Sequence, residues 1–127
     1  MFEVNVKTNV TAQQVADLMS TAFEGGSNYW VASIDYVKIP AEVVPNGIVT
    51  YSHPEFWAGD FELVVEDAEA GKEDDKIVIT PETLKKGIQA FAEQYPNHFS
   101  DWMTEHDDAA TADTFLQMVC FGEVIYG

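Results

Sequence analysis

Apolar and polar positions recur with two periods along this 127-residue chain, and the changes of period mark its elements. Phe2-Glu3-Val4-Asn5-Val6-Lys7 alternates like a half-buried strand, with Phe2, Val4 and Val6 turned inward. Thr11 and Gln14 have the spacing of a capping box, which opens a helix from about Ala12 to Phe23. Val15, Leu18, Met19, Ala22 and Phe23 are its apolar stripe, and Gly25-Gly26 are read as its C-cap. From Asn28 to Val44 the pattern is β-like, with Trp30, Ala32, Ile34 and Tyr36 on one face. Pro40, Pro45-Asn46-Gly47 and Pro54 punctuate the next stretch of chain. A short strand is expected over Ile48-Val49-Thr50-Tyr51, then a turn at His53-Pro54-Glu55-Phe56-Trp57 that lays aromatics on the edge of the core.

Beyond this turn the pattern is that of a hairpin. Phe61, Leu63 and Val65 point one way, Asp60, Glu62 and Glu66 the other, and the chain returns through Lys76-Ile77-Val78-Ile79-Thr80. Thr80-Pro81-Glu82-Thr83 is a helix start whose buried stripe is Leu84, Ile88, Phe91, Ala92 and Tyr95, and Pro96-Asn97 stops it. His98 to Asp108 reads as a short helix or loop. A last helix runs from about Ala109 to Phe121, with Phe115, Leu116, Met118 and Val119 inward, Gly122 at its end and a return strand at Glu123-Val124-Ile125-Tyr126. The order predicts an α+β fold: an antiparallel sheet with about three helices packed on one face, in a single domain spanning residues 1–127.

Charge changes this picture most. The chain holds 22 acids against 6 basic residues, all lysine, for a net −16. Residues 1–54 carry five acids and two lysines, residues 55–127 seventeen acids and four lysines. Such a surface excludes ordinary nucleic-acid binding, which needs cations on phosphate. The missing arginine also weighs against phosphate or carboxylate ligands. The field favours a basic partner approached by electrostatic steering, or else serves solubility alone. No run is apolar for long enough to span a bilayer, and Glu3 stands where a basic leader would begin, so a cytosolic setting is expected. Cys120, in the apolar run Met118 to Phe121, reads as a small buried hydrophobe.

Candidate chemistry is sparse. His98, Asp101 and Glu105 share a helix face, but a solvated acidic face is the better reading, and no metal site is expected. Asp67, Glu69, Gly71, Glu73 and Asp75 have calcium-loop spacing without the twelfth-position acid, where Val78 stands. No nucleophile, phosphate loop or dinucleotide fingerprint is present, so neither a catalytic residue nor a cofactor is expected. Glu24 beside the glycine pair is the best single base, and a helix-end glutamate is the blander reading. Asp60, Glu62, Glu66, Asp67, Glu69, Glu73, Asp74 and Asp75 put eight acids in sixteen residues. Same-face strand positions repeat at about 7 Å, twice the phosphate spacing of about 3.4 Å along one strand, so these acids read as a row that mimics DNA. Asp101, Glu105, Asp107, Asp108 and Asp113 read as a second row. Protection of a sheet edge is the competing reading.

Two segments carry a resemblance. Ala22 to Trp30 (AFEGGSNYW) resembles the "A-[LF]-E-G-G-x-N-Y-W" segment of small uncharacterised bacteriophage proteins. Ala112 to Gly127 is similar to the closing "A-D-x-[IL]-[IL]-Q-x-A-L-F-G-E-[IV]-V-Y-G" of that group, with Met118-Val119-Cys120 replacing its aromatic-Ala-Leu. The resemblance implies a phage or prophage origin and the host cytoplasm. Its shared polar residues are Glu24, Asn28, Asp113 and Gln117. With Trp30 and Tyr29 they form either a joint fastening the last helix to the glycine corner or a small ligand site. The leading expectation is an acidic phage inhibitor of a basic, nucleic-acid-binding host defence protein, of anti-restriction or anti-CRISPR type. The alternatives are a ligand-binding protein or enzyme at the polar cluster, and a phage assembly accessory protein.

Overall fold

The structure is a computed structural model that describes residues 1–40, 50–71 and 75–127. It is α+β. Three strands, β1 (Val31–Lys38), β2 (Glu62–Asp67) and β3 (Lys76–Ile79), form an antiparallel sheet in the order β1-β2-β3. Among the described residues there are five α-helices: α1 (Ala12–Thr21), α2 (Pro54–Ala58), α3 (Pro81–Gln94), α4 (Pro96–Met103) and α5 (Ala109–Phe121). A π-helical turn, Ala22–Gly26, continues α1.

Local signals set most helix starts. Thr11 and Gln14 cap α1 reciprocally, Thr80 and Thr83 cap α3, and Asp108 and Thr111 cap α5. Pro96 stops α3 as expected, and it also occupies the first turn of α4, where its missing N–H costs nothing. Gly122 ends α5 in the left-handed conformation, with φ 74°.

The hairpin register pairs Leu63 with Ile79 and Val65 with Ile77, and Phe61, Leu63 and Val65 are buried as the alternation predicts. On β1 the alternation is broken by irregular pairing between Val31 and Ser33, which leaves Ala32 exposed while Ile34 and Tyr36 pack on the core. The buried apolar residues form one continuous cluster, from Val15 and Leu18 through Trp30, Phe61 and Phe91 to Phe115 and Val119.

Four expectations are corrected. Residues 1–10 form no strand, and Phe2, Val4 and Val6 are 97%, 78% and 82% exposed, because this segment pairs with none of the three strands. The segment His53 to Trp57 is a helix N-terminus, and Phe56 and Trp57 lie in the core itself, stacked edge-on at 4.9 Å. Tyr51 binds that helix into place, accepting from Trp57 Nε1 at 2.7 Å through its carbonyl. Glu123 to Tyr126 is not a strand. Gly25-Gly26 do not form a left-handed cap, since neither has positive φ and the π turn carries the chain through them. The turn expected at 45–47 and residues 48–49 of the expected strand lie outside the described residues; Thr50 and Tyr51 are in no strand.

Candidate functional site

The polar cluster at the glycine corner is assembled from three directions. The π turn swings the chain so that Ser27, Tyr29 and Trp30 face α5, and Gly26 lets it come close. A Cβ on Gly26 would run into the Ala109 carbonyl, whereas one on Gly25 would meet nothing within 4 Å. On α5, Asp113 and Gln117 stand one turn apart on one face.

Asp113 accepts from Ser27 Oγ at 2.8 Å and Trp30 Nε1 at 2.8 Å on one oxygen. Its other oxygen accepts from Tyr29 Oη at 2.6 Å and Gln117 Nε2 at 3.1 Å. The buried Gln117 amide also holds the C-terminal segment. Its oxygen accepts from the Ile125 and Tyr126 backbone N–H groups, each at 2.8 Å, and its nitrogen donates to the Tyr126 carbonyl at 3.2 Å. Thus the tail gets its backbone partners from one side chain rather than from a strand. Tyr126 Oη in turn donates to the buried Asp67 at 2.7 Å, and Asp67 accepts from the Glu69 N–H at 2.9 Å. The chain of bonds runs from the corner, through α5 and the tail, to the end of β2.

Burial and then the Asp113 carboxylate push the Tyr29 hydroxyl up to about 12. Asp67 beside Tyr126 pushes that hydroxyl to about 12 as well, through the hydrogen bond first and burial second. Burial also raises the Cys120 thiol well above its usual range, so it is held as an inert thiol packed on the core. No buried side-chain polar atom lacks a hydrogen-bond partner among the described residues.

Of the predicted cluster, the structure brings together Trp30, Asp113 and Gln117. Glu24 and Asn28 are exposed and make no hydrogen bond to them; Glu24 lies instead beside the Tyr51 hydroxyl. Trp30 does not stand as an open wall. It is fully buried, and it packs on Phe121 and Tyr126 at 5.2 and 5.8 Å. Sequence reasoning missed Ser27 and the Asp67–Tyr126 pair, which join segments far apart in the chain. For Ser27, its place between the glycines and Trp30 was the available signal.

The acids fall differently from two bare rows. Asp60 is ion-paired with Lys38, and Glu62 stands across from Lys38 in the β1–β2 register. Glu66 accepts from Ser33 Oγ at 2.9 Å and stands across from Lys76. The sheet row is therefore interleaved with cations. Asp67 is buried and engaged, so it is not a surface acid. Asp75 is half-buried, and its carbonyl accepts from the Asp67 N–H at 2.5 Å. Glu73 and Asp74 lie outside the described residues. Asp108 caps α5, and the Thr111 backbone and hydroxyl hold its carboxyl below the usual carboxylate range.

Asp101, Glu105 and Glu69 are exposed, and Asp107 is half-buried. Glu105 has φ 60°, the one non-glycine residue at positive φ among the described residues. It sits just past α4, where its N–H donates to the Trp102 carbonyl at 3.3 Å and the His106 N–H to the Asp101 carbonyl at 2.7 Å. This is a Schellman motif with glutamate where glycine is favoured. His98 does not join these acids as a ligand; its Nδ1 meets Thr111 Oγ1 at 3.0 Å and ties α4 to α5. No group of three or more potential metal ligands occurs among the described residues. No described helix is long and apolar enough to cross a membrane. The chain matches no protein-family model, no curated protein and no solved structure.

Proposed function

We propose that this chain is an acidic inhibitor that binds a basic, nucleic-acid-binding protein, with the end of α4 as the centre of its contact surface. The observation that carries this reading is the scarcity of neutralisation: 19 of the 22 acids lie among the described residues, and these contain one ion pair, Lys38 with Asp60. Asp101, Glu105 and Asp107 have no lysine partner among the described residues, so a cationic groove meets charge that the fold itself does not use. Glu105 adds a second support. A left-handed position costs a residue with a Cβ roughly 1–2 kcal/mol, and a carboxylate kept there in place of glycine is consistent with selection for contact. The phage-type end segments supply the setting, a host defence effector in the host cytoplasm. The Asp113 cluster enters as scaffold, because both carboxylate oxygens are taken by the chain's own donors.

The test is capture from host lysate at about 50 and 500 mM salt, followed by elution with duplex DNA. A basic nucleic-acid-binding protein released by salt and by DNA is the expected result. Reversal of Asp101, Glu105 and Asp107 to lysine abolishes its capture. Capture that survives the triple reversal overturns the reading, as does recovery of the chain in purified particles with no such partner. Glu105→Gly separates the two roles of that residue: stability rises by about 1 kcal/mol while partner binding weakens.

A further inference from the structure

Residues 2–7 have the clearest strand pattern in the chain and no strand partner. Among the described residues, no backbone hydrogen bond joins residues 1–10 to the rest of the molecule, and the three-stranded sheet forms without them. The side chains of Phe2, Val4 and Val6 are exposed. Val4 and Val6 border a cleft of about 880 Å³ whose far wall includes Ile88, Ala92 and Phe99.

We propose that this arm pairs with the same arm of a second copy, as two antiparallel strands about a two-fold axis through Asn5. The sequence is self-complementary in that register. Glu3 stands opposite the second copy's Lys7, Val4 opposite its Val6, and Phe2 opposite its Thr8; the symmetry makes each pair occur twice. Phe2, Val4 and Val6 of both copies then share one face, while the two Glu3–Lys7 pairs and Asn5 share the other. A slip of one residue sets apolar side chains against polar ones. A slip of two, with the axis at Val4, keeps the apolar face but puts Glu3 opposite Asn5 and leaves Lys7 with no carboxylate. Charge therefore selects the Asn5 axis.

An isolated two-stranded ribbon is marginal in water. Here Ile88, Ala92 and Phe99 in the cleft beside the arm give its apolar side chains neighbouring surface, and the pairing satisfies the backbone groups that one copy leaves unpaired. Net charge of −16 per chain opposes association, so the dimer tightens as salt screens it.

The test is analytical ultracentrifugation of the full chain over a concentration series at about 150 mM salt. The expected mass at the upper end is twice the 14.1 kDa of one chain. Glu3→Lys and Lys7→Glu each set like charges opposite one another at both positions, and each weakens the dimer by about tenfold. An equimolar mixture of the two variants restores it, because each copy then brings the complement of the other. Asn5→Cys oxidises to an inter-chain disulfide across the axis, faster than Val4→Cys. Unchanged thermal unfolding of the two charge variants at dilution separates lost pairing from lost folding. A chain that stays monomeric at the highest soluble concentration overturns the proposal. So does a dimer indifferent to both reversals, a mixture no tighter than its components, or cross-linking that favours Val4→Cys.

Discussion

Asp113 collects donors from Ser27, Tyr29, Trp30 and Gln117, and two of these, Ser27 and Gln117, are wholly buried polar residues. Removing the acceptor leaves the Ser27 hydroxyl and the Trp30 indole N–H unpaired, while Gln117 keeps its bonds to the tail, and an orphaned buried group costs about 1–3 kcal/mol. Asp113→Ala is accordingly expected to destabilise by about 3 kcal/mol in urea unfolding. Asp113→Asn is milder. Its remaining oxygen keeps Ser27 and Trp30; the amide nitrogen then faces both Tyr29 Oη, which can turn to accept from it, and the Gln117 nitrogen, which cannot. Tyr29 and Tyr126 give a pH signature. Their hydroxyls hold protons to about 12 in the fold against 10.0 ordinarily. The folded state therefore binds more protons between these values, so their stabilisation is complete below about pH 10 and is lost as pH rises toward 12. Unfolding measured at about pH 9 and pH 11 shows this fall, and the Tyr29→Phe/Tyr126→Phe double variant reduces it, the remainder coming from Tyr36, Tyr51 and Cys120, which the fold also raises. The i, i+4 spacing of Asp113 and Gln117 was legible because a helix fixes it. The Asp67–Tyr126 bond was not, because 59 residues separate its ends.

Elements with their own local signals fell where the pattern put them: α1, α3 and α5 carry capping boxes, and β2 alternates cleanly. Some segments whose burial depends on a neighbour did not, although β1 and β3 formed within their expected stretches. The arm alternates as well as β2 does, yet no strand lies beside it, so its pattern finds no burial within one chain. Phe56 and Trp57 went into the core because Tyr51 and Phe61 close over them, contacts that periodicity does not encode. Glycine roles are likewise settled by neighbours. Gly87 lies where α3 meets α5, and a Cβ there would come within 2.6 Å of Val119 Cα. Gly87→Ala and Gly26→Ala are each expected to destabilise by about 1–3 kcal/mol despite better helix propensity. Gly25→Ala, with open space around it, leaves stability unchanged or raises it slightly. Thermal unfolding of the three variants checks both halves of this statement.

For the molecule as a whole, self-repulsion is the dominant electrostatic fact. With net −16 and one ion pair among the described residues, added salt screens more repulsion than attraction. The melting temperature is expected to rise from about 10 mM to about 300 mM sodium chloride, where the Debye length falls from about 30 Å to under 10 Å. A melting temperature that falls with salt contradicts it. The total charge was plain from composition, but its arrangement was not. Lys38 and Lys76 sit across from Glu62 and Glu66 only because of strand register, and that register turns a supposed row of acids into a mixed face.

The sequence by itself determined what depends on near neighbours: the α+β class, the capped helix starts, the inward face of the hairpin and the acidic balance. Caps, turns and periodicities act within a few residues, so one chain segment contains all their terms. Only the tertiary structure decided which groups from distant segments meet. It saturated Asp113, buried Asp67, gave the tail to Gln117 and left the first strand-like segment without a partner. Those outcomes depend on which surfaces remain open once the core has closed, and no local pattern carries that information.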